Sequence, residues 1–186
     1  TQKYYYSSFV YANDTKEISL KELTNILDEI SSKKNEEIET QAYFIAYNIY
    51  KKSQKSNLKN YILRWIEKNS NSKLSDISKA YCVELINTMI NQENNTDYLK
   101  NILINIQPIN PKMENTYKTL SFILTETLEK APNLFEDLLY NLLIANDLSI
   151  LNEDTYFIRE ITSKINQIYF TRLFISKNLN HRNFAQ

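Results

Sequence analysis

Residues 36–52 read EEIETQAYFIAYNIYKK, and this stretch decides the fold class. Its small and aliphatic side chains recur at the three- and four-residue spacing of one helix face, at Ala42, Ile45, Ala46 and Ile49. A second stripe of Tyr43, Tyr47 and Tyr50 runs beside the first. The pattern predicts an amphipathic helix from about Glu36 to Lys52.

The same spacing continues on both sides of this stretch. Ser19-x-x-Glu22 has the form of a capping box and predicts the start of a first helix that carries Leu23 and Ile30. Further helices are predicted at about 58–67, 74–91 and 97–106. We expect their apolar stripes to include Trp65, Ile77, Tyr81 and Leu85.

In the second half of the chain, proline and asparagine mark the predicted ends and starts of helices. Pro108 ends the fifth predicted helix, and Asn110 caps a sixth that has Pro111 as its first residue and Leu120 and Leu124 on its apolar stripe. Asn133-x-x-Glu136 resembles the cap of a seventh helix, and residues 152–154 cap an eighth. This eighth helix frays towards residues 180–182.

The chain has no glycine in 186 residues. Glycine is the usual residue of tight hairpin turns and phosphate-binding loops, because it reaches positive φ without steric cost. Its absence excludes glycine-based nucleotide motifs and argues against a sheet-rich fold. With 42% apolar residues the composition is globular. The sequence therefore predicts an all-α fold of about eight helices.

The predicted helices alternate between longer and shorter, and pairs begin near residues 36, 74 and 112, with another helix near 153. Intervals of about 40 residues resemble HEAT or armadillo-type repeats, a resemblance of architecture over roughly residues 36–180. The only residue pair that recurs between the predicted repeats is Ala-Tyr, at Ala42-Tyr43 and at Ala80-Tyr81. The alternative is an irregular α-bundle. We expect a Tyr-rich N-terminal arm at 1–17, one all-α domain at 18–180 and a C-terminal tail at 181–186.

Charge and cysteine content limit the partners and the compartment. The formal net charge is zero, which gives no overall attraction to nucleic acid or membrane. Uncharged runs reach only about ten residues, half of what a membrane span needs. The single cysteine, Cys82, cannot form an intramolecular disulfide. These features favour a soluble cytoplasmic protein, and a start at Thr1 instead of Met leaves secretion or injection open. The Asn, Lys, Ile and Tyr content indicates an AT-rich genome.

The sequence offers little for catalysis. Its one histidine, His181, lies in a polar run near the C-terminus, and Cys82 lies among apolar neighbours. One histidine and one cysteine cannot form a Cys/His zinc site, and any nucleophile–histidine pair would have to use His181, which we expect to be exposed and inert. The acidic residues lie at helix ends or on polar faces, where their charge is favourable without catalysis. We therefore expect no enzyme, no cofactor and no metal.

Two features mark candidate binding surfaces. Residues 51–79 carry eight basic residues against two acidic ones, whereas residues 93–154 carry four against ten. The candidate partner-binding residues are those of the tyrosine stripe and the first lysines of the basic stretch: Tyr43, Tyr47, Tyr50, Lys51, Lys52, Lys55 and Lys59. In the alternative interpretation the tyrosines pack in the core and the lysines form a solvated helix face.

The favoured function is a non-enzymatic helical domain that binds another protein, such as an adaptor, an effector or an inhibitor of the immunity type. One alternative is binding of nucleic acid or another anionic partner through residues 51–79, although zero net charge argues against nucleic acid. Another is transport of an apolar small molecule between helices. The oligomeric state is left open.

Overall fold

The computed structural model describes residues 18–33, 35–92, 96–110 and 112–130, together with Phe135 and Leu138. These ranges contain six helices and no strand, which confirms the all-α class. The helices are α1 (Leu20–Ser31), α2 (Glu36–Lys52), α3 (Ser56–Asn69), α4 (Asp76–Gln92), α5 (Thr96–Asn105) and α6 (Glu114–Lys130).

Several sequence predictions lie outside these described ranges. They are the N-terminal arm, the eighth helix, the C-terminal tail with His181, and the seventh helix apart from two residues. Those two, Phe135 and Leu138, are helical and buried.

The starts of the first two helices follow from their capping residues. The N–H of Glu22 donates to Ser19 Oγ at 3.2 Å, and the Glu22 carboxylate accepts from the N–H of Ser19 at 2.8 Å. The predicted capping box is therefore confirmed. Asn35 caps α2 by accepting from the N–H of Ile38 at 3.2 Å. Acidic residues in the first turn of α2 and lysines in its last turn match the helix dipole.

The helices form two layers. The longer helices α2, α4 and α6 pack side by side in chain order, and the shorter helices α1, α3 and α5 do the same. Each layer covers the other, because α2 contacts α1 and α3 while α4 contacts α5.

Side-chain hydrogen bonds within each layer connect residues at a nearly constant separation. In the short-helix layer the separations are 33 for Tyr61–Asp28 and 34 for Asn101–Glu67. In the long-helix layer they are 35 for both Thr40–Ser75 and Thr119–Glu84. Between α3 and α5 the contact Asn101–Glu67 is followed by Asn105–Ser70, and between α2 and α4 the contact Thr40–Ser75 is followed by Phe44–Tyr81. The neighbours in these two pairs therefore run parallel.

The core lies between the layers and contains apolar residues from all six helices. Leu120 and Leu124 are buried in it, as their place on the sixth predicted stripe indicated. Trp65 is also buried, at 6% exposed, and Cys82 is fully enclosed. The predicted apolar stripes were thus largely right for these helices.

Two local predictions were wrong. The sixth helix begins at Glu114 and not at Pro111, because Asn110 forms a turn in which its side chain accepts from the N–H of Lys112 at 3.1 Å. Ile77 is 57% exposed, although it was placed on the apolar stripe of the fourth helix. The buried side of α4 is instead formed by residues between Ser78 and Met89 that face its neighbours.

Candidate functional site

Aromatic rings gather on the outer side of the long-helix layer, where α2 meets α4. Tyr81 of α4 lies 5.5 Å from the ring of Phe44 and 5.9 Å from the ring of Tyr47, both on α2. All three rings are partly exposed. Burial and the nearby Tyr47 raise the pKa of Tyr81, so the hydroxyl stays neutral at physiological pH.

Two further large apolar side chains are exposed on α4 and α6. Ile77 lies one turn before Tyr81 and is 57% exposed. Phe122 follows Thr119 by one turn on α6 and is 43% exposed, while Thr119 Oγ1 donates to Glu84 of α4 at 3.0 Å. We call Phe44, Tyr47, Ile77, Tyr81 and Phe122 the aromatic face. It spans three successive helices of one layer.

The predicted tyrosine stripe divides between core and surface. Tyr43 and Tyr50 are 1% and 0% exposed, so both belong to the core, as the alternative interpretation had it. They have no surface to offer a partner, which corrects their assignment as candidate binding residues. Tyr47 alone keeps an exposed edge, because it points towards the outer side of α2.

The four candidate lysines lie around the turn between α2 and α3, where local contacts involve Lys51, Lys55 and Lys59. Lys51 Nζ donates to the hydroxyl of Tyr47 at 3.3 Å. Lys55 Nζ donates to the carbonyl oxygen of Ile18 at 3.4 Å. Lys59 Nζ lies 5.0 Å from the centre of the Tyr50 ring, in cation–π geometry. Lys52 is exposed at the last residue of α2. These contacts indicate that the lysines stabilise the local structure.

The rest of the basic stretch points elsewhere. Arg64 and Lys68 are exposed on the outer side of α3, and Lys73 lies in the following turn. Lys79 is buried, and its Nζ donates to the carbonyl oxygen of Pro108 at 2.5 Å. Desolvation lowers the pKa of Lys79. Residues 51–79 therefore do not form one continuous basic surface.

A groove lies between α1 and α3 on the short-helix layer. Its volume is about 580 Å³, and Asp28, Tyr61, Arg64, Trp65 and Lys68 line its sides. A smaller cavity of about 130 Å³ lies between α2 and the end of α3, with Glu39 and Tyr43 among its lining residues. Both cavities have polar as well as apolar residues in their walls.

The described residues hold little catalytic chemistry. Burial raises the pKa of the Cys82 thiol, with a further contribution from the charge of Glu39, so the thiolate that reacts is disfavoured. Within the described ranges no three His, Cys, Asp or Glu side chains come together in a way that could hold a metal ion. The predicted histidine, His181, falls outside those ranges.

Four members of the aromatic face were absent from the predicted site. They are Phe44, Ile77, Tyr81 and Phe122, and they were missed because residues were judged on one helix at a time. One signal was available, since the matching pairs Ala42-Tyr43 and Ala80-Tyr81 align α2 with α4 in register. That alignment sets Tyr43 level with Tyr81, one residue from Phe44, whose ring Tyr81 contacts in the structure.

Comparisons of the chain with known protein families, with curated proteins and with solved structures gave no match. In the part of the chain that the structure describes, no helix combines the length and the hydropathy required to cross a membrane.

Proposed function

We propose that this chain is a non-enzymatic helical domain that binds another protein through the aromatic face. One observation carries the proposal: the rings of Phe44, Tyr47 and Tyr81 meet at a partly exposed surface between α2 and α4, and α4 and α6 also expose Ile77 and Phe122. Single exposed apolar residues are ordinary, whereas a shared patch of them is typical of an interaction surface.

The chemistry of the face fits a protein partner. Tyrosine and phenylalanine provide large rigid contact areas that lose little conformational freedom on binding, and they are enriched at interfaces. Lys51, hydrogen-bonded to Tyr47, adds a cation at the edge of the patch. The expected partner therefore presents apolar side chains with an acidic group beside them. An adaptor, an effector or an inhibitor would each use such a surface.

We further propose that the helix pairs belong to a stack of the HEAT or armadillo type. The support is the near-constant separation of the hydrogen-bonded residues within each layer. Stacks of this kind present extended surfaces built from successive helices, and the aromatic face has that construction.

The test compares two double variants for capture of proteins from extracts of the source cells. Ile77→Ser with Phe122→Ser removes the two most exposed side chains of the face, and the fold should persist because both are already solvent-accessible. Lys21→Ser with Asn25→Ser changes two exposed positions on α1 and is the control. We expect the wild type and the control to retain the same partner and the face variant to lose it. Equal capture by all three would contradict the proposal.

A second copy of the chain is another protein that could cover the face. Sedimentation analysis of the wild type and the face variant identifies this case. A dimer that dissociates only in the face variant would make the partner this chain itself.

A further inference from the structure

The groove between α1 and α3 has its own chemistry, separate from the aromatic face. One side of α3 presents Tyr61, Arg64, Trp65 and Lys68, which follow one another at the three- and four-residue spacing of a single helix face. Asp28 of α1 lies opposite, and its carboxylate accepts from the hydroxyl of Tyr61 at 3.5 Å. At about 580 Å³ the groove has the volume of an ordinary ligand site.

The uncharged polar side chains of the groove already donate hydrogen bonds within the protein. Three hydroxyls donate to carbonyl oxygens of α1, and one amide donates to a carbonyl oxygen of α3: Thr24 to Leu20 at 2.9 Å, Ser31 to Leu27 at 2.7 Å, Ser32 to Glu29 at 2.6 Å and Asn69 to Trp65 at 2.7 Å. Together with the Tyr61 hydroxyl, these groups have little left to offer a ligand as donors.

Arg64 and Lys68 differ from the rest of the lining. Both are exposed, and neither has a hydrogen bond or an ion pair with any other residue that the structure describes. They are four residues apart on α3, where two like charges repel each other weakly. An anion between them would relieve that repulsion and use the planar donors of the guanidinium group.

We propose that this groove binds an acidic segment of a partner protein, with a carboxylate between Arg64 and Lys68 and an apolar side chain against Tyr61 and Trp65. The position of Asp28 favours such a segment over a nucleic acid. Its carboxylate lies in the α1 wall of the groove and the two cations lie in the α3 wall, so a continuous polyanion would be repelled at Asp28, whereas a peptide with spaced carboxylates would not. The groove is on the short-helix layer, so this inference goes beyond the aromatic face.

The test selects peptides from a displayed random library on the full chain, followed by affinity measurements with one selected synthetic peptide. We expect the selected sequences to be enriched in Asp and Glu. Arg64→Glu with Lys68→Glu should weaken binding of the peptide by at least about tenfold. Lys52→Glu with Lys112→Glu makes the same change in net charge at exposed residues outside the groove and should leave the affinity within about twofold.

Several outcomes would overturn the inference. Selected peptides without an acidic excess would do so, as would an equal loss of affinity in both charge-reversed variants. Tighter binding of single-stranded DNA than of the acidic peptide, lost in the groove variant, would assign the groove to nucleic acid. If charge reversal lowers the helix content, Arg64→Gln with Lys68→Gln replaces it under the same criteria. None of these variants changes a residue of the aromatic face. A negative result for the groove would therefore not contradict the proposed function, which has a separate test.

Discussion

The rings of Tyr43 and Trp65 lie in direct contact, with their centres 5.3 Å apart and their planes inclined at 57°. The pair joins α2 to α3 and so connects the two layers of helices. Tilted aromatic pairs of this kind add about 0.5–1.5 kcal/mol to the stabilisation from burial alone. The hydroxyl of Tyr43 is buried and has no hydrogen-bond partner among the described residues, and burial raises its pKa.

Two substitutions of Tyr43 should therefore distinguish the contribution of its ring to stability from the contribution of its hydroxyl. Tyr43→Phe keeps the contact with Trp65 and removes a buried polar group, so the free energy of unfolding should stay equal or rise by up to about 1 kcal/mol. Tyr43→Ala removes the ring and should cost about 3–5 kcal/mol. Urea denaturation measures both. A loss above about 1 kcal/mol for Tyr43→Phe would mean that the hydroxyl has a partner in solution.

Leu124 and Tyr47 should respond differently to truncation. Leu124 is completely buried on α6, and Leu124→Ala should lower the free energy of unfolding by about 2–5 kcal/mol. Tyr47 packs against Tyr81 but keeps an exposed edge, so Tyr47→Ala should cost only about 1 kcal/mol and mainly affect binding. Chemical denaturation of both variants decides this. Equal costs would place Tyr47 in the core and remove it from the aromatic face.

The stabilising contribution of Glu39 to the folded state should decrease as the pH rises. Burial and the like charge of Glu36 raise the pKa of its carboxyl above 4.5, only partly offset by the N–H of Ser75. The folded state thus holds this proton more tightly than the unfolded chain does. Its contribution is present below pH 4.5 and is lost as the pH rises through the raised pKa. Glu39→Gln should flatten that part of the curve of melting temperature against pH.

Glu22 is the matched control for this pH effect. Its hydrogen bonds from Ser19 lower the pKa of the carboxyl, so its contribution is present above pH 4.5 and is lost as the pH falls below that value. Glu22→Gln should therefore change the acid side of the curve and leave the effect of Glu39 intact. Identical curves for the two variants would show that neither assignment holds.

Cys82 should react with thiol reagents only when the protein opens. Its side chain is fully buried, and burial raises the pKa of the thiol, which disfavours the reactive thiolate. Labelling by iodoacetamide should be very slow in buffer and fast in urea above the unfolding midpoint. Leu124→Ala should speed up labelling in buffer, since a less stable fold opens more often. Rapid labelling of the native wild type would contradict this placement.

The helices were predictable because the signals for them are local. Ser19 and Glu22 define the start of α1 within a single turn, and α2 was predicted from Glu36 to Lys52, as the structure has it. The predictions failed where residues distant in the sequence determine the local structure. Asn110 donates to the Asp76 carboxylate at 2.7 Å, a contact with the start of α4 that lies outside any local capping pattern.

The site was less predictable than the fold, because exposure depends on which sides of a helix are covered by neighbours. Helix α2 packs against α1, α3 and α4, so its buried arc is wide enough to include Tyr43 and Tyr50 beside the aliphatic stripe. A single-helix pattern shows both stripes as apolar and does not show that Phe44 and Tyr47 lie beyond the edge of that arc. The packing order had to be known first.

The near-constant separation of hydrogen-bonded residues has a consequence for how the chain folds. Since these side-chain partners lie only 33–38 residues apart, few contacts within the described ranges require distant parts of the chain to meet. Low contact order of this kind is associated with rapid folding. Each helix pair can also form on the one synthesised before it, so the chain can acquire its structure progressively as it leaves the ribosome.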